Sequence, residues 1–300
     1  MCGLFGFVHY GENEFKNLSA LTKTLAEYAA VRGTDATGIA YVKNGIQIQK
    51  EARSAYTMSF KHPDNLKTLI GHTRHATHGS ASKNYNNHPF FGKAGNTRFA
   101  LAHNGVLMNY SLNLPKTKIE TDSYLAVQLI EKQKKFSFDS IRFMAETVQG
   151  SFSFAILDDQ NSIWLVKGDN PLSVLHFPEK KMYVYASTDE ILYKAVVDSM
   201  LFADLKRGHF SEVPIDDGTI LKINPDGTLE KETFHFSESV GLPWWEFGGY
   251  PVKNIRTDEI EYLDTLRTMA WYHGIEADEI DALIEEGFTP EEVEEYLYEI

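Results

Sequence analysis

Cysteine is nearly missing from this chain: Cys2 is the single one in 300 residues. No intrachain disulfide can form, and a reducing compartment fits that usage. Long apolar runs are also missing, so nothing reaches the roughly 18 residues that a membrane-spanning helix needs. The opening segment MCGLFGFVHYGENEF carries neither a basic leader nor a small-residue cleavage site. A cytoplasmic protein without a membrane partner is expected. Basic residues are in short supply, with 29 Lys and Arg against 42 Asp and Glu and a net charge of −13. The imbalance is local: residues 236–300 hold 17 acids and 3 bases, a net −14, which leaves the preceding chain at +1. No basic stripe exists for a nucleic acid to follow, so none is expected as a partner. The acidic end reads as a solvated helical face or a docking surface. Internal repeats and low-complexity tracts are absent as well.

What is present suffices for a large core, with 43% hydrophobic residues. Short stretches rich in β-branched and aromatic residues predict strands over 4–10, 38–42, 46–49, 69–73, 99–103, 153–157, 163–167, 173–177, 182–186 and 219–223. Turn sequences such as Lys43-Asn44-Gly45 and Asp158-Asp159-Gln160-Asn161 join several of them and favour antiparallel pairing. Helical periodicity covers roughly 15–31, 122–134, 139–147 and 189–199. Helices cluster instead of alternating with strands, which predicts an α+β fold of layered antiparallel sheets.

Composition shifts after Ser237, so two parts are expected, 1–237 and an acidic helical segment 238–300. In the second, helical spacing covers 257–273, 277–286 and 290–298. Gly274 and Gly287 stand where helix C-caps belong, and Thr289-Pro290-Glu291-Glu292 has the form of a capping box.

Cys2 is the most informative residue. If Met1 is removed, as the small Cys2-Gly3 pair permits, one residue carries both a thiol and a free α-amine. Their reference pKa values, about 8.5 and about 7.7 to 8.0, let the amine take the thiol proton near neutral pH. Retention of Met1 would lock that amine in a peptide bond.

Four other segments look over-specified for folding alone: Arg32 to Gly38 (RGTDATG), Gly71 to Gly79 (GHTRHATHG), Ala102 to Gly105 (AHNG) and Glu120 to Ser123 (ETDS). Each lies at a predicted strand end or helix start, where a scaffold presents functional groups. Asn104-Gly105 offers a side-chain amide beside an unobstructed backbone N–H, the donor pair that a tetrahedral oxyanion requires. It also has the form of an ordinary Asn-Gly turn. Arg74 suits a carboxylate and Asp122 an ammonium, while a structural ion pair and a helix N-cap are their plainer readings. His72, His75 and His78 recur every third residue, but a strand ending in a loop scatters them, so no metal site is expected.

Cys2-Gly3 with the following FGFV strand, RGTDATG, GHTRHATHG, HPFF from His88, AHNG and ETDS occur in the order and at about the spacing of class II glutamine amidotransferases. The chain resembles these Ntn hydrolases over residues 2–235, most closely the glutaminase domain of glucosamine-6-phosphate synthase. That resemblance implies a four-layer αββα sandwich and hydrolysis of L-glutamine through a γ-glutamyl thioester, with no cofactor. It assigns Cys2 as nucleophile and Asn104 with the Gly105 N–H as oxyanion hole. Arg74, Thr77 and His78 fall on the α-carboxylate side, with His103 also on the substrate side. Asp122 is assigned to the α-ammonium, and Arg32 orients the terminal residue. His75 departs from the usual tryptophan. No acceptor domain of the family follows, so a partner polypeptide is expected to supply the ammonia acceptor. A slow glutamine-sensing protein, or an amidohydrolase for another γ-glutamyl amide, shares the same motifs.

Overall fold

The computed structural model describes residues 2–12, 17–63, 65–108, 114–235, 266, 277–285, 288–289 and 293. The chain divides into two compact units, Met1–Ser239 and Val240–Ile300.

The first unit is built on two antiparallel sheets. The seven-stranded one runs, in spatial order, Ser211–Glu212 (β11), Ser173–Phe177 (β9), Met182–Ala186 (β10), Gly3–His9 (β1), Thr68–Arg74 (β4), Ala36–Val42 (β2) and Ile46–Glu51 (β3). The six-stranded one runs Leu229–Thr233 (β13), Thr219–Ile223 (β12), Ile163–Lys167 (β8), Gly150–Asp158 (β7), Thr97–Leu107 (β6) and Phe90–Ala94 (β5). Helices Leu18–Ala29 (α1), Asp189–Val197 (α4) and Phe202–Arg207 (α5) belong with the first sheet, and Tyr124–Lys132 (α2) and Phe138–Thr147 (α3) with the second.

Strand periodicity explains the layering. In β1, Phe5 and Phe7 join the core shared with α1 and α4, whereas Leu4 and Val8 face the other sheet. Phe99 and Leu101 of β6 pack on α2 and α3, while Ala100 and Ala102 face inward. Both faces of the central strands are therefore covered, so they read as continuous apolar runs instead of alternating ones. The result is the expected αββα sandwich. Each buried Phe or Leu contributes about 1.5–3 kcal/mol by leaving water.

Elements absent from the sequence reading are β5, β11, β13 and α5. In β13, LEKET at a sheet edge leaves Leu229 exposed and offers no apolar face to detect. The helix expected from position 122 begins at Tyr124, with Ser123 as N-cap residue.

In the second unit, Ala277–Glu285 (α6) is helical, and Leu266, Ile280 and Val293 are buried. The Phe288 N–H donates to Leu283 O at 3.1 Å, a bond that satisfies one of the last-turn carbonyls. Most of 257–273 and 290–298, together with Gly274, Gly287 and all of the 289–292 box but Thr289, lie outside the described residues.

Candidate active site

Cys2 precedes β1, the central strand of the first sheet, and Gly3 pairs with Thr73 of β4. A Cβ on Gly3 would stand 2.6 Å from Thr73 Oγ1 and 2.7 Å from Ala29 O, so only glycine lets the chain enter between α1 and β4. Cys2 is half-buried, and its Sγ lies 3.5 Å from His75 O. Arg32, at the end of a short 3₁₀ turn after α1, donates from Nε to Cys2 O at 2.8 Å. The RGTD segment is fastened to the end of β4. A Cβ on Gly33 would meet the Arg74 carbonyl carbon at 2.3 Å. The Asp35 N–H donates to Arg74 O at 3.0 Å, and Asp35 Oδ2 accepts from Ala76 N at 2.8 Å.

Arg74 is 3% exposed and arranges the loop after it. Its Nη1 donates to Asn87 Oδ1 at 2.7 Å, and its Nη2 to Gly79 O at 2.8 Å and to His78 O. Three of its five donors therefore serve the protein itself. Thr77 is exposed, and His78 is half-buried with Nδ1 lacking a hydrogen-bond partner. The loop is tied to the ETDS segment by Asn86, whose Oδ1 accepts from Glu120 N and whose Nδ2 donates to Glu120 Oε2, both at 2.9 Å.

From the second sheet come Asn104 and Gly105, near the end of β6. Asn104 is 1% exposed, and its Nδ2 has no hydrogen-bond partner. Gly105 has φ +138°, and a Cβ there would sit 1.9 Å from Ser151 O. Asn170 holds this bend by donating from Nδ2 to Asn104 O at 3.0 Å and to Ser151 Oγ at 2.7 Å. Asp122 is half-buried. Its Oδ2 accepts from Leu107 N at 2.7 Å and its Oδ1 from Ser123 N at 2.8 Å. Beside it lies a pocket of about 230 Å³ whose lining includes His78, Leu107, Glu120, Asp122, Tyr124 and Gln128.

Charge links these groups across the two sheets. Burial pushes the Cys2 thiol above its ordinary pKa, the backbone at His75 and the Arg74 charge pull it down, and Asp122 pushes it up. Burial lowers the pKa of the Arg74 guanidinium, whereas Cys2, Asp35 and Asp122 raise it.

Two residues that sequence reasoning left aside belong to this neighbourhood. Lys50 of β3 donates to Asn87 O and Pro89 O and lies 4.9 Å from the centre of the Phe90 ring. Burial lowers its pKa to about 8. Burial likewise pushes the pKa of His88 well below its ordinary value; its ring lies 4.0 Å from that of His72 and 4.5 Å from that of Phe90. Nothing in IQIQKE distinguishes Lys50 from a solvated strand lysine; HPFF marked His88 as a motif but not as a stacked ring. His72, His75 and His78 separate as expected, the first buried, the second exposed and the third half-buried. Among the described residues, the one convergent His and carboxylate trio is Glu179, Asp204 and His209, held by a His209–Glu179 ion pair at 3.1 Å and a Lys180–Asp204 pair at 3.5 Å.

Residues 1–145 match the family model for class-II glutamine amidotransferases. Glutamine–fructose-6-phosphate aminotransferase (isomerizing) of Bacillus cereus is 35% identical over 189 residues, and that of Geobacillus kaustophilus 35% over 188. Each match covers 58% of this chain, which spans about 30% of the relative's length. The fold is similar to that of glutamine phosphoribosylpyrophosphate amidotransferase from B. subtilis complexed with ADP and GMP. The TM-score is 0.61 at 21% identity, covering 78% of this chain and 49% of that one. A structure of the allosteric regulatory enzyme of purine biosynthesis gives 0.60 at 22%, with the same coverage. The amino-terminal region, residues 1–145, thus belongs with the class II glutamine amidotransferases.

Proposed function

We propose that the mature chain starts at Cys2 and hydrolyses the side-chain amide of L-glutamine to glutamate and ammonia. The observation that carries this reading is the buried, unpartnered Asn104 Nδ2 beside a Gly105 whose backbone no other residue can adopt. An orphaned buried amide costs about 1–3 kcal/mol, so a site that keeps one has a use for it.

With Met1 removed, the Cys2 α-amine takes the thiol proton and Sγ attacks the γ-carbonyl carbon. Asn104 Nδ2 and the Gly105 N–H stabilise the resulting oxyanion, each donor being worth about 3–4 kcal/mol in sites of this kind. The ammonium formed at the amine protonates the departing nitrogen, which leaves as ammonia. A water, deprotonated by the same amine, then attacks the γ-glutamyl thioester and releases glutamate and the thiol. Asp122 holds the α-ammonium of the substrate. Arg74, with Thr77 and His78, forms the opposite side of the head-group site, Arg74 acting partly through the loop carbonyls it gathers, while His103 stands behind Asp122, joined to it through Ser123. Arg32 fixes the carbonyl of the terminal residue. Placing the base three bonds from the nucleophile, on the same residue, removes the need for a separate histidine.

The ammonia is proposed to pass to an acceptor site supplied by a partner polypeptide.

Mass spectrometry of the mature protein after treatment with 6-diazo-5-oxo-norleucine tests both halves of the reading. Expected is an amino-terminal cysteine carrying one adduct, with no adduct and no ammonia release in Cys2→Ala. Turnover by a Met1-free Cys2→Ala variant, or full activity with Met1 in place, overturns the proposal.

A further inference from the structure

The thiol and its oxyanion donors lie on different sheets: Cys2 runs into β1 beside β4, and Asn104 belongs to β6. Their separation must be set by something that crosses between the sheets. His72 of β4 makes such a link. Its Nε2 lies 2.9 Å from His103 O, and since a carbonyl only accepts, Nε2 carries the hydrogen. Both rings are about 1% exposed, and burial lowers the pKa of His72 to about 3, which keeps it neutral. His72 is followed by Thr73, the residue opposite Gly3, and by Arg74; the accepting carbonyl belongs to the residue before Asn104.

The link continues. His103 Nδ1 lies 2.8 Å from Ser123 Oγ, and the Ser123 hydroxyl donates to Asp122 Oδ1 at 3.3 Å. With its hydrogen committed to the carboxylate, Ser123 Oγ accepts from Nδ1–H of His103. The His103 ring is steadied by Phe154, with centroids 4.8 Å apart. One directed chain, His72 to His103 to Ser123 to Asp122, thus joins the strand next to the nucleophile, the oxyanion strand and the substrate's ammonium ligand.

Resting on the amidotransferase reading, we propose that His72 and Ser123 are positioning residues: His72 sets the gap between the Cys2 thiol and the Asn104–Gly105 donors, and Ser123 holds Asp122 toward the substrate head group. A displacement of the oxyanion donors acts on the transition state and so on kcat. Loosening of Asp122 acts on ground-state capture and so on KM.

The test is steady-state glutamine hydrolysis by the full chain, processed to Cys2, for the wild type, His72→Phe, His72→Gln, Ser123→Ala and Ser123→Thr. Labelling of Cys2 by iodoacetamide counts competent thiols. His72→Phe is expected to lower kcat about 100-fold per competent thiol, with KM little changed. His72→Gln, whose amide places a donor near the original Nε2, is expected to recover at least about tenfold of that loss. Ser123→Ala is expected to raise KM about tenfold at unchanged kcat, with Ser123→Thr near the wild type. A merely structural role moves the fraction of competent thiols and the melting temperature but not kcat or KM per thiol, and that result overturns the proposal. Equal losses in His72→Phe and His72→Gln also overturn it. Should His72→Phe fail to fold, the His72→Gln and Ser123 variants decide by the same criteria. An active wild type with unaffected variants sinks the strut alone, whereas a processed wild type that hydrolyses no glutamine sinks the amidotransferase reading and the strut with it.

Discussion

At the scale of single residues, the Cys2 thiol has competing neighbours, and their signs give a prediction. Burial raises its pKa, and the half-buried thiol in the unprocessed chain should label with iodoacetamide along a pH curve displaced above the ordinary thiol range. Arg74 favours the thiolate and Asp122 opposes it, so Arg74→Gln should move the curve further up and Asp122→Asn should move it down. Opposite shifts in the two variants check the shared field; shifts of the same sign would refute it. Gly33→Ala is expected to destabilise the fold by about 1–3 kcal/mol, because the added carbon meets backbone and not a side chain able to swing away. Thermal unfolding measures that loss. The polar groups at strand ends were legible from residue type and spacing, since Cys2, Arg74, Asn104 and Asp122 stand out as soon as the strands are drawn. Their contacts were not, because nothing in GHTRHATHG says that Arg74 spends three donors on its own loop, and nothing in ETDS says that Asp122 is held by Leu107 N.

Among the elements, the β7–β8 hairpin shows how a short sequence signal becomes structure. Asp158 Oδ1 accepts from the N–H groups of Gln160 and Ser162, each at 2.9 Å, and its Oδ2 accepts from Trp164 Nε1 at 2.9 Å, while Asn161 takes φ 67°. Asp158→Ala should cost about 2–3 kcal/mol in denaturant unfolding, since it strands buried donors that only this carboxylate satisfies. The turn was readable because Asp and Asn favour such conformations, whereas β13 was not, being an edge strand with one covered side at most. Lys50 gives a pH-dependent prediction at the same scale. Its folded pKa, about 8, lies below the unfolded value near 10.5, so between those limits the unfolded chain binds more protons and stability rises with pH. Burying the charged amine is therefore a penalty present in full below about pH 8 and relieved above it. Denaturant midpoints for the wild type relative to Lys50→Met should climb between pH 8 and 10; a flat difference would show that the two carbonyls it contacts compensate its burial fully.

For the whole molecule, layered antiparallel sheets were legible from clustered helices and from hairpin turns, because strand faces and turn chemistry are local properties, whereas the four-layer order came from the family resemblance. Strand order was not, since β1 lies between β4 and β10, pairings whose partners stand far apart along the chain. The unit Met1–Ser239 contains both sheets and the three hydrophobic cores. A protein cut after Ser239 should then unfold in one cooperative transition and keep glutamine hydrolysis within about twofold of the full chain, since both sheets and these cores lie in the retained part. Loss of the transition would show that the acidic segment is needed for folding. The placement of Gly3, where an added Cβ would stand within 3 Å of Thr73 and Ala29, has a practical consequence for anyone preparing the protein. An affinity tag fused ahead of Cys2 would cap the nitrogen assigned as base in the proposed mechanism, beside a strand with no room to shift, so purification handles belong at the opposite end.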